Sequence, residues 1–417
     1  MNDATAGAAN VATALRPRRA VVIAVLGLTQ ILAWGSSYYL PAVLAAPIAA
    51  STGWSLAWVV GGLSLGLLVA GLVAPRVGRI IDRSGGRPVL TASSVLLALG
   101  LGCLAVAQHL GVYLVAWIVL GLGMAAGLYD AAFATLGRLY GETARTAISS
   151  LTLWGGFAST ACWPLSAFLV SSIGWREACL IYAALHLAVG LPMHLVLLPR
   201  APALPGPSGE RGADRPRAAQ AAAFKVWQSG RELVLLGLVA AIVTTMAVIS
   251  SVLSVHLIAI LQALGVGLAT AVGLGALVGP SQVGARVVEV TVGRRFHPIW
   301  TALTAALLMI AGMGVLALGV PAIALGLILY GAANGIRSIV QGTLPLALFG
   351  AQGYAVRVGW LARPSLLAQA IAPTIAAYIL DHGGAPRVLA ILLALALFNV
   401  GLVGALWLSS SRAPALE

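Results

Sequence analysis

Uninterrupted apolar runs of about 20 residues recur along the whole chain, and that is the length one α-helix needs to cross the hydrocarbon core of a bilayer. Measured against that ruler, the 417-residue sequence holds twelve candidate spans. They cover roughly 20–47, 55–77, 88–107, 112–138, 144–171, 177–198, 233–261, 268–292, 298–318, 321–348, 359–380 and 386–408. Backbone groups in lipid must find their partners within their own segment, so such runs fold as helices. Charge is scarce in the same way: 8% of residues are charged and the mean hydropathy is +1.00, against about a quarter charged in soluble domains. A cytoplasmic enzyme and a secreted domain are excluded. The expected fold is an all-α membrane protein of twelve transmembrane helices.

The few charges are placed unevenly. Lys225 and the arginines make up 24 basic residues against 11 acidic ones, a net +13. A nucleic-acid module needs a polar body and a continuous basic stripe. Here the arginines form short clusters between apolar runs, so no nucleic-acid partner is expected. An even number of spans puts both termini on one side of the membrane. That side carries 19 of the basic residues, the other only Arg176 and Arg387, while Arg286, Arg337 and Arg363 fall inside spans. Basic excess marks the cytoplasmic face, so both termini are expected there, in the cytoplasmic (inner) membrane of a bacterium.

Most connections are very short. The exception is 199–230, which holds Pro205, Pro207 and several charges and reads as a solvated linker. The chain divides into a cytoplasmic tail (1–19), an N-terminal six-helix bundle (20–198), the cytoplasmic linker (199–230), a C-terminal six-helix bundle (231–408) and a second tail (409–417). Cys103, Cys162 and Cys179 lie in apolar segments without metal-type spacing and read as buried small hydrophobes. No signal peptide is expected, because the apolar run after Arg19 is too long.

The two halves echo each other. Gly123 and Gly127 of span four align with Gly331 and Gly335 of span ten at an offset of 208, which brings Asp130 to within one residue of the counterpart of Arg337. Pro164 and Pro373 match at nearly the same offset. Small-xxx-small pairs are common in packed membrane helices, but two matches flanking a central linker favour duplication.

Between spans two and three stands Gly78-Arg-Ile-Ile-Asp82-Arg83-Ser-Gly85-Gly-Arg87. This stretch matches the GxxxDRxGxR signature of the major facilitator superfamily, which the chain resembles over nearly its full length. The resemblance implies two bundles that rock about a central cavity lined by spans one, four, seven and ten. In such a loop Gly78 permits close helix approach and Gly85 a tight turn. Asp82 can cap a helix end and pair with an arginine, while Arg83 and Arg87 stay at the wet interface. The cluster is expected to act as a gate latch that forms when the cytoplasmic side closes; plain loop charge is the other reading. Ser51-Thr-Gly-Trp-Ser55 and Gly279-Pro-Ser-Gln282-Val-Gly-Ala-Arg286 are similar to the bacterial monocarboxylate-transporter-like branch. There the span-eight arginine follows an aspartate by four residues and is linked to anion and proton handling; here Gln282 takes the aspartate's place.

Ionisable groups inside the membrane cost roughly 2.5–3.5 kcal/mol each on insertion scales and need a reason. Arg337 lies about 24 Å along span ten, with Asn334, Ser338 and Gln341 as helical neighbours. It is a fork for a carboxylate or phosphate, or else a structural partner of Asp130. Asp130 is the candidate proton-coupling group: desolvation favours its proton and a nearby arginine its charge, and a carboxylate alternating between the two can couple a proton to transport. A permanent salt bridge is the alternative. Gln282, Arg286 and Glu289 share one face of span eight, where Arg286 and Glu289 either serve substrate and proton or pair with each other. Arg363 is placed to snorkel to the interface. Gln30, Trp34 and Tyr38 recur at four-residue spacing in span one, suited to an aromatic cavity wall. His256 of span seven is a further cavity candidate, with a simple hydrogen-bonded role as the alternative. His186 and His194 in span six receive no role.

No phosphate loop, zinc motif or activated nucleophile is present, so neither an enzyme nor a cofactor or metal site is expected. The leading expectation is a monomeric secondary transporter of a small organic anion, a carboxylate, with proton coupling and the lipid bilayer as its other partner. A proton-driven efflux carrier for amphipathic drugs is the alternative, supported by Asp130 and the aromatic span one. A non-transporting membrane sensor is the third.

Overall fold

The computed structural model describes residues 3–200, 230–319 and 322–411, with side chains from Arg19 to Ser410 within those ranges. Most of the expected linker, 201–229, and the outer parts of both expected tails lie outside the described residues. Among the described residues the chain is helical throughout, without a strand.

The first set of helices is α1 (Asp3–Gly35), α2 (Pro41–Thr52), α3 (Leu56–Ser84), α4 (Gly86–Ala105), α5 (Leu110–Gly127), α6 (Tyr129–Tyr140), α7 (Ala144–Gly156), α8 (Ala158–Ile173) and α9 (Trp175–Leu185). Two π-helical turns, His186–Gly190 and Met193–Leu197, continue α9. The second set is α10 (Gly230–Ala263), α11 (Leu268–Gly275), α12 (Val278–Thr291), α13 (Pro298–Ala317), α14 (Ile323–Phe349) and α15 (Tyr354–Ser411).

Nine helical runs among the described residues are long and apolar enough to cross a membrane. Two of them, Leu110–Ile173 with 64 residues and Tyr354–Ser410 with 57, exceed twice the length a bilayer requires. Both are interrupted. α15 bends at Gly384, whose φ of 70° lies in the left-handed region open to glycine. The other run breaks at Leu128, at the 3₁₀ turn Gly141–Thr143 and at Phe157.

Several expected continuous spans are therefore broken helices. Span one turns at 36–40 between α1 and α2, and span eight between α11 and α12. The break in span four has a visible cause. Gln30 Nε2 donates to the carbonyl of Gly127, the last residue of α5, at 2.5 Å. A side chain from α1 thus satisfies a backbone group at the helix end. Apolar composition continues straight through Leu128, so periodicity does not reveal the break. α14 has no counterpart break, and the two GxxxG pairs meet different neighbours: Gly123 and Gly127 face Leu97 and Ser93 of α4, Gly331 and Gly335 face Val278, Ser281 and Gln282 of α12.

One buried core is built almost entirely by α1–α9, and two smaller ones by α10–α15. Five residues of the second set, Leu346, Tyr354, Ala355, Val358 and Ala370, are buried in the first core. Contact between the sets is concentrated in α3, α6 and α7 against α12, α14 and α15. It is closest where α3 meets α15. A Cβ at position 78 would lie 2.4 Å from the Ala355 carbonyl oxygen, and one at 359 would lie 2.6 Å from that of Ala74. Glycine at both positions lets the backbones touch. Among the described residues α1, α2 and α8 contribute no comparably dense packing across the sets. The molecule is therefore closed at the end that carries Gly85, Gly141 and Gly350.

Candidate substrate-binding seam

Half-buried polar side chains from both sets converge between them: Trp34, Tyr38, Tyr39 and Asp130 on one side, Gln282, Asn334, Arg337 and Gln341 on the other. On the first side the wall is aromatic. Trp34 lies 5.1 Å from Tyr38, 5.8 Å from Tyr39 and 5.0 Å from Tyr129, measured between ring centroids. Tyr39 meets Trp163 of α8 edge-on, and Tyr129 stacks on Phe133. Trp34 is held by its own helix, since Nε1 donates to Gln30 Oε1 at 3.0 Å. Gln30 is only 1% exposed and both ends of its amide are engaged by protein. This corrects the expectation for Gln30: it orients Trp34 and secures the α5–α6 break, with no face left toward the seam.

The histidines given no role support α1 from behind this wall. His194 Nε2 and Thr29 Oγ1 are 3.0 Å apart, and its Nδ1 is 3.0 Å from Ser94 Oγ. His186 Nε2 is 2.8 Å from Ser36 Oγ. All five side chains are buried. Thr29 and Ser36 are seven residues apart and so share a face of α1, roughly opposite the one that carries Trp34. That spacing, with two histidines eight apart in span six, was the available signal in the sequence.

On the second side, Arg337 donates Nε to Asn334 Oδ1 at 3.0 Å, and Asn334 also accepts from Ser250 Oγ. No carboxylate lies within 4.0 Å of its guanidinium among the described residues. Its electrostatic neighbours are the phenols of Tyr38, Tyr330 and Tyr39, together with Arg286 and, across the seam, Asp130. One turn along, Gln341 Nε2 donates to Asp130 Oδ1 at 2.6 Å and so links α14 to α6. In place of the alternative reading, an Arg337–Asp130 ion pair, stand two separate hydrogen bonds.

Arg286 and Glu289 do not pair with each other either. Arg286 is buried and donates Nη1 to the Thr152 carbonyl of α7 at 2.8 Å and Nε to the Gly335 carbonyl at 3.2 Å. The Tyr129 hydroxyl, buried without a hydrogen bond, stands beside it. Glu289 turns the other way: Oε1 accepts from Thr301 Oγ1 of α13 at 2.8 Å, with Arg145 as its neighbouring cation. The spacing makes them neighbours on one face, and it is the acceptors and donors packed around α12 that draw them apart. Glu289 is thus outside the seam, and so is His256, whose Nε2 meets the Pro373 carbonyl at 2.8 Å between α10 and α15. Arg363 lies over the Trp360 ring at 5.7 Å.

The signature loop sits at the closed end. Gly85 turns the chain with φ of 79°, and Gly78 is the close-approach point described above. Asp82 lies near Arg138, Arg83 and Arg357, and its backbone carbonyl accepts from Arg138 Nε at 3.3 Å. Arg83 is exposed, and Arg87 donates to the Leu195 carbonyl. Two ties across the sets were not foreseen. Arg145 Nη2 donates to the Phe296 carbonyl at 2.6 Å, and Glu142 Oε1 accepts from the Ala351 amide at 2.9 Å. A separate cavity of about 690 Å³, lined by Arg231, His297, Trp300 and Trp407 among others, is near the closed end and away from the seam.

Apolar helices in two packed sets, with polar and charged side chains converging on the seam between them, fit a membrane transporter. The Major Facilitator Superfamily profile matches residues 26–355, and the chain belongs to that superfamily. It is accordingly a multi-pass membrane protein, of a family whose members are transporters of small molecules rather than enzymes. A stretch of 136 residues is 32% identical to monocarboxylate transporter 11 of Mus musculus, covering 31% of this chain and 29% of that protein. The chain thus spans under a third of that relative's length. Its fold is similar to the human organic anion transporter MFSD10 (TETRAN), with TM-score 0.72 and 21% identity over 93% of this chain and 99% of that one. It is similar as well to the proton:xylose symporter XylE bound to 6-bromo-6-deoxy-D-glucose (TM-score 0.72, 13% identity, 94% and 96% covered). FucP in the outward conformation matches with TM-score 0.67 and 13% identity, covering 93% and 99%.

Proposed function

We propose that this protein is a secondary transporter that moves a small organic anion, a carboxylate, across the cytoplasmic membrane by alternating access. The observation that carries this reading is Arg337. A guanidinium inside the membrane must be compensated, yet among the described residues only Asn334 accepts from it, and its two Nη groups have no acceptor. Two parallel N–H donors match a carboxylate. The partial match to a monocarboxylate transporter supports the same class.

In this reading Asp130 couples a proton to transport. Its link to Gln341 spans the two sets, so a change of charge on Asp130 alters a contact that must break when they separate. Arg286 and its bond to Thr152 act in the same place, as a tie released on rocking. Asn334, Gln341, Gln282, Trp34 and Tyr38 line the path, and Gly78, Asp82, Arg83, Gly85 and Arg87 form the cytoplasmic gate, closed here. Counting the two double-length runs as pairs turns the nine runs into eleven spans, and the shorter helices α1 and α2 together supply a twelfth; in this reading they form two bundles, 20–198 and 231–408, joined by a cytoplasmic linker, with both termini inside and the monomer as the working unit.

Efflux of cationic drugs draws less support. It requires Asp130 as the cation's partner, and Asp130 already accepts from Gln341. Replacing Arg337 by Gln in proteoliposomes tests the choice. Loss of carboxylate uptake with drug tolerance unchanged is expected; the converse overturns the proposal.

A further inference from the structure

The two chemistries of the seam are segregated by side. Trp34, Tyr38, Tyr39, Tyr129 and Trp163 all come from α1–α8, and their rings form a chain of contacts with centroids 5.0–6.0 Å apart. Arg286 and Arg337 both come from α12 and α14. Tyr38 and Tyr39 are the phenols of this wall near enough to act electrostatically across the seam, Tyr38 on Arg337 and Tyr39 on both arginines. The wall also offers faces. Trp34, Tyr38 and Tyr39 are half-buried, and Trp163 is 44% exposed at the margin away from the closed end. Trp34 is fixed in orientation through Gln30, so its ring is presented at low entropic cost.

Resting on the carboxylate reading above, we infer that the substrate is an aryl carboxylate, whose flat ring docks on the Trp34–Tyr38–Tyr39 wall while its carboxylate takes the free Nη donors of Arg337. A short aliphatic acid satisfies only the arginine and leaves the aromatic faces in contact with water. A ligand with both ends in place touches both sets of helices at once, so its binding free energy bears directly on their separation. Aromatic rings in offset or edge contact gain more than their area alone provides, and a charge-assisted, two-pronged hydrogen bond fixes the other end.

Binding to the full chain in nanodiscs, followed by tryptophan fluorescence and thermal stability, tests this with acetate, lactate, cyclohexanecarboxylate, benzoate, indole-3-acetate, benzamide and benzylamine. Indole-3-acetate and benzoate are expected to bind about tenfold or more tighter than acetate and lactate, and benzamide and benzylamine not to bind. Trp34→Leu is expected to lower the affinity for indole-3-acetate and benzoate about tenfold and so abolish their advantage over acetate, and Trp34→Phe to restore part of it; comparable melting temperatures establish that both variants fold. Lactate or cyclohexanecarboxylate binding as tightly as indole-3-acetate overturns the aryl inference and leaves the carboxylate reading standing. Benzylamine binding in place of benzoate, or no carboxylate binding at all, overturns both.

Discussion

Asp130 and Arg337 face the same seam from opposite sides without forming an ion pair. Asp130 accepts from Gln341 at 2.6 Å, and Arg337 donates Nε to Asn334 at 3.0 Å. Each charge is held by a neutral amide instead of by the other. A direct pair in a dry interior is difficult to open, since removing one partner leaves the other charge buried and uncompensated. Amide partners hold both groups in position and leave their charges available to a proton and an anion.

The first prediction concerns Asp130→Asn. The asparagine carbonyl can still accept from Gln341, so folding and the α6–α14 contact are expected to persist. Accumulation driven by a pH gradient in proteoliposomes is expected to disappear, while exchange without a gradient continues. Gradient-driven accumulation equal to that of the parent protein removes Asp130 as the coupling group.

Arg337 is expected to contribute through charge and geometry together. Hydrogen bonds to charged groups are worth roughly 1.5–3 kcal/mol, so Arg337→Gln should weaken carboxylate binding about ten- to a hundredfold. Arg337→Lys keeps the charge without the planar fork and should recover only part of the loss. Equal affinities for the three proteins count against the proposed site.

Gly78→Val tests the closed end. The added side chain would collide with the Ala355 carbonyl, since even a Cβ would lie 2.4 Å away, and no rearrangement of a flexible side chain relieves a clash with backbone. α3 and α15 are expected to separate, shifting the population toward a conformation open at this end. Spin labels at the exposed positions 79 and 294 should then report a longer mean distance. An unchanged distance distribution contradicts the close-approach role.

His194→Ala removes two side-chain hydrogen bonds, to Thr29 and Ser94. Such bonds between membrane helices average about 0.6 kcal/mol and reach about 1.7, so a loss of roughly 1–3 kcal/mol is expected in reversible unfolding. Because Thr29 anchors the opposite face of the α1 segment that carries Trp34, the tryptophan emission should shift as well. A loss of stability with unaltered emission would mean that the histidines hold the bundle together without orienting the wall.

Much of this was readable from residues alone, for reasons that are physical. Hydrophobic length reports the solvent, so the apolar runs announced membrane helices, and Gly78 and Gly85 announced a close approach and a turn. Arg337 stood out because a buried guanidinium is costly wherever it sits. Gln30 was misjudged, however: four-residue spacing with Trp34 and Tyr38 placed it on the right face, and only the nearby end of α5 showed that the Gly127 carbonyl occupies its amide. Arg286 and Glu289 share a face of α12 as their spacing requires, but only packing shows that one takes the Thr152 and Gly335 carbonyls and the other the Thr301 hydroxyl.

By itself the sequence determined the helices, their apolar faces and the family they signal, because each depends on local composition and spacing. Only the tertiary structure decided which helices break, which end is closed, and which acceptor each interior polar group takes. In a medium without water a donor must use whatever acceptor packing brings within about 3 Å, and that neighbour comes from a helix distant in sequence: Gly127 for Gln30, Thr152 for Arg286 and Asp130 for Gln341.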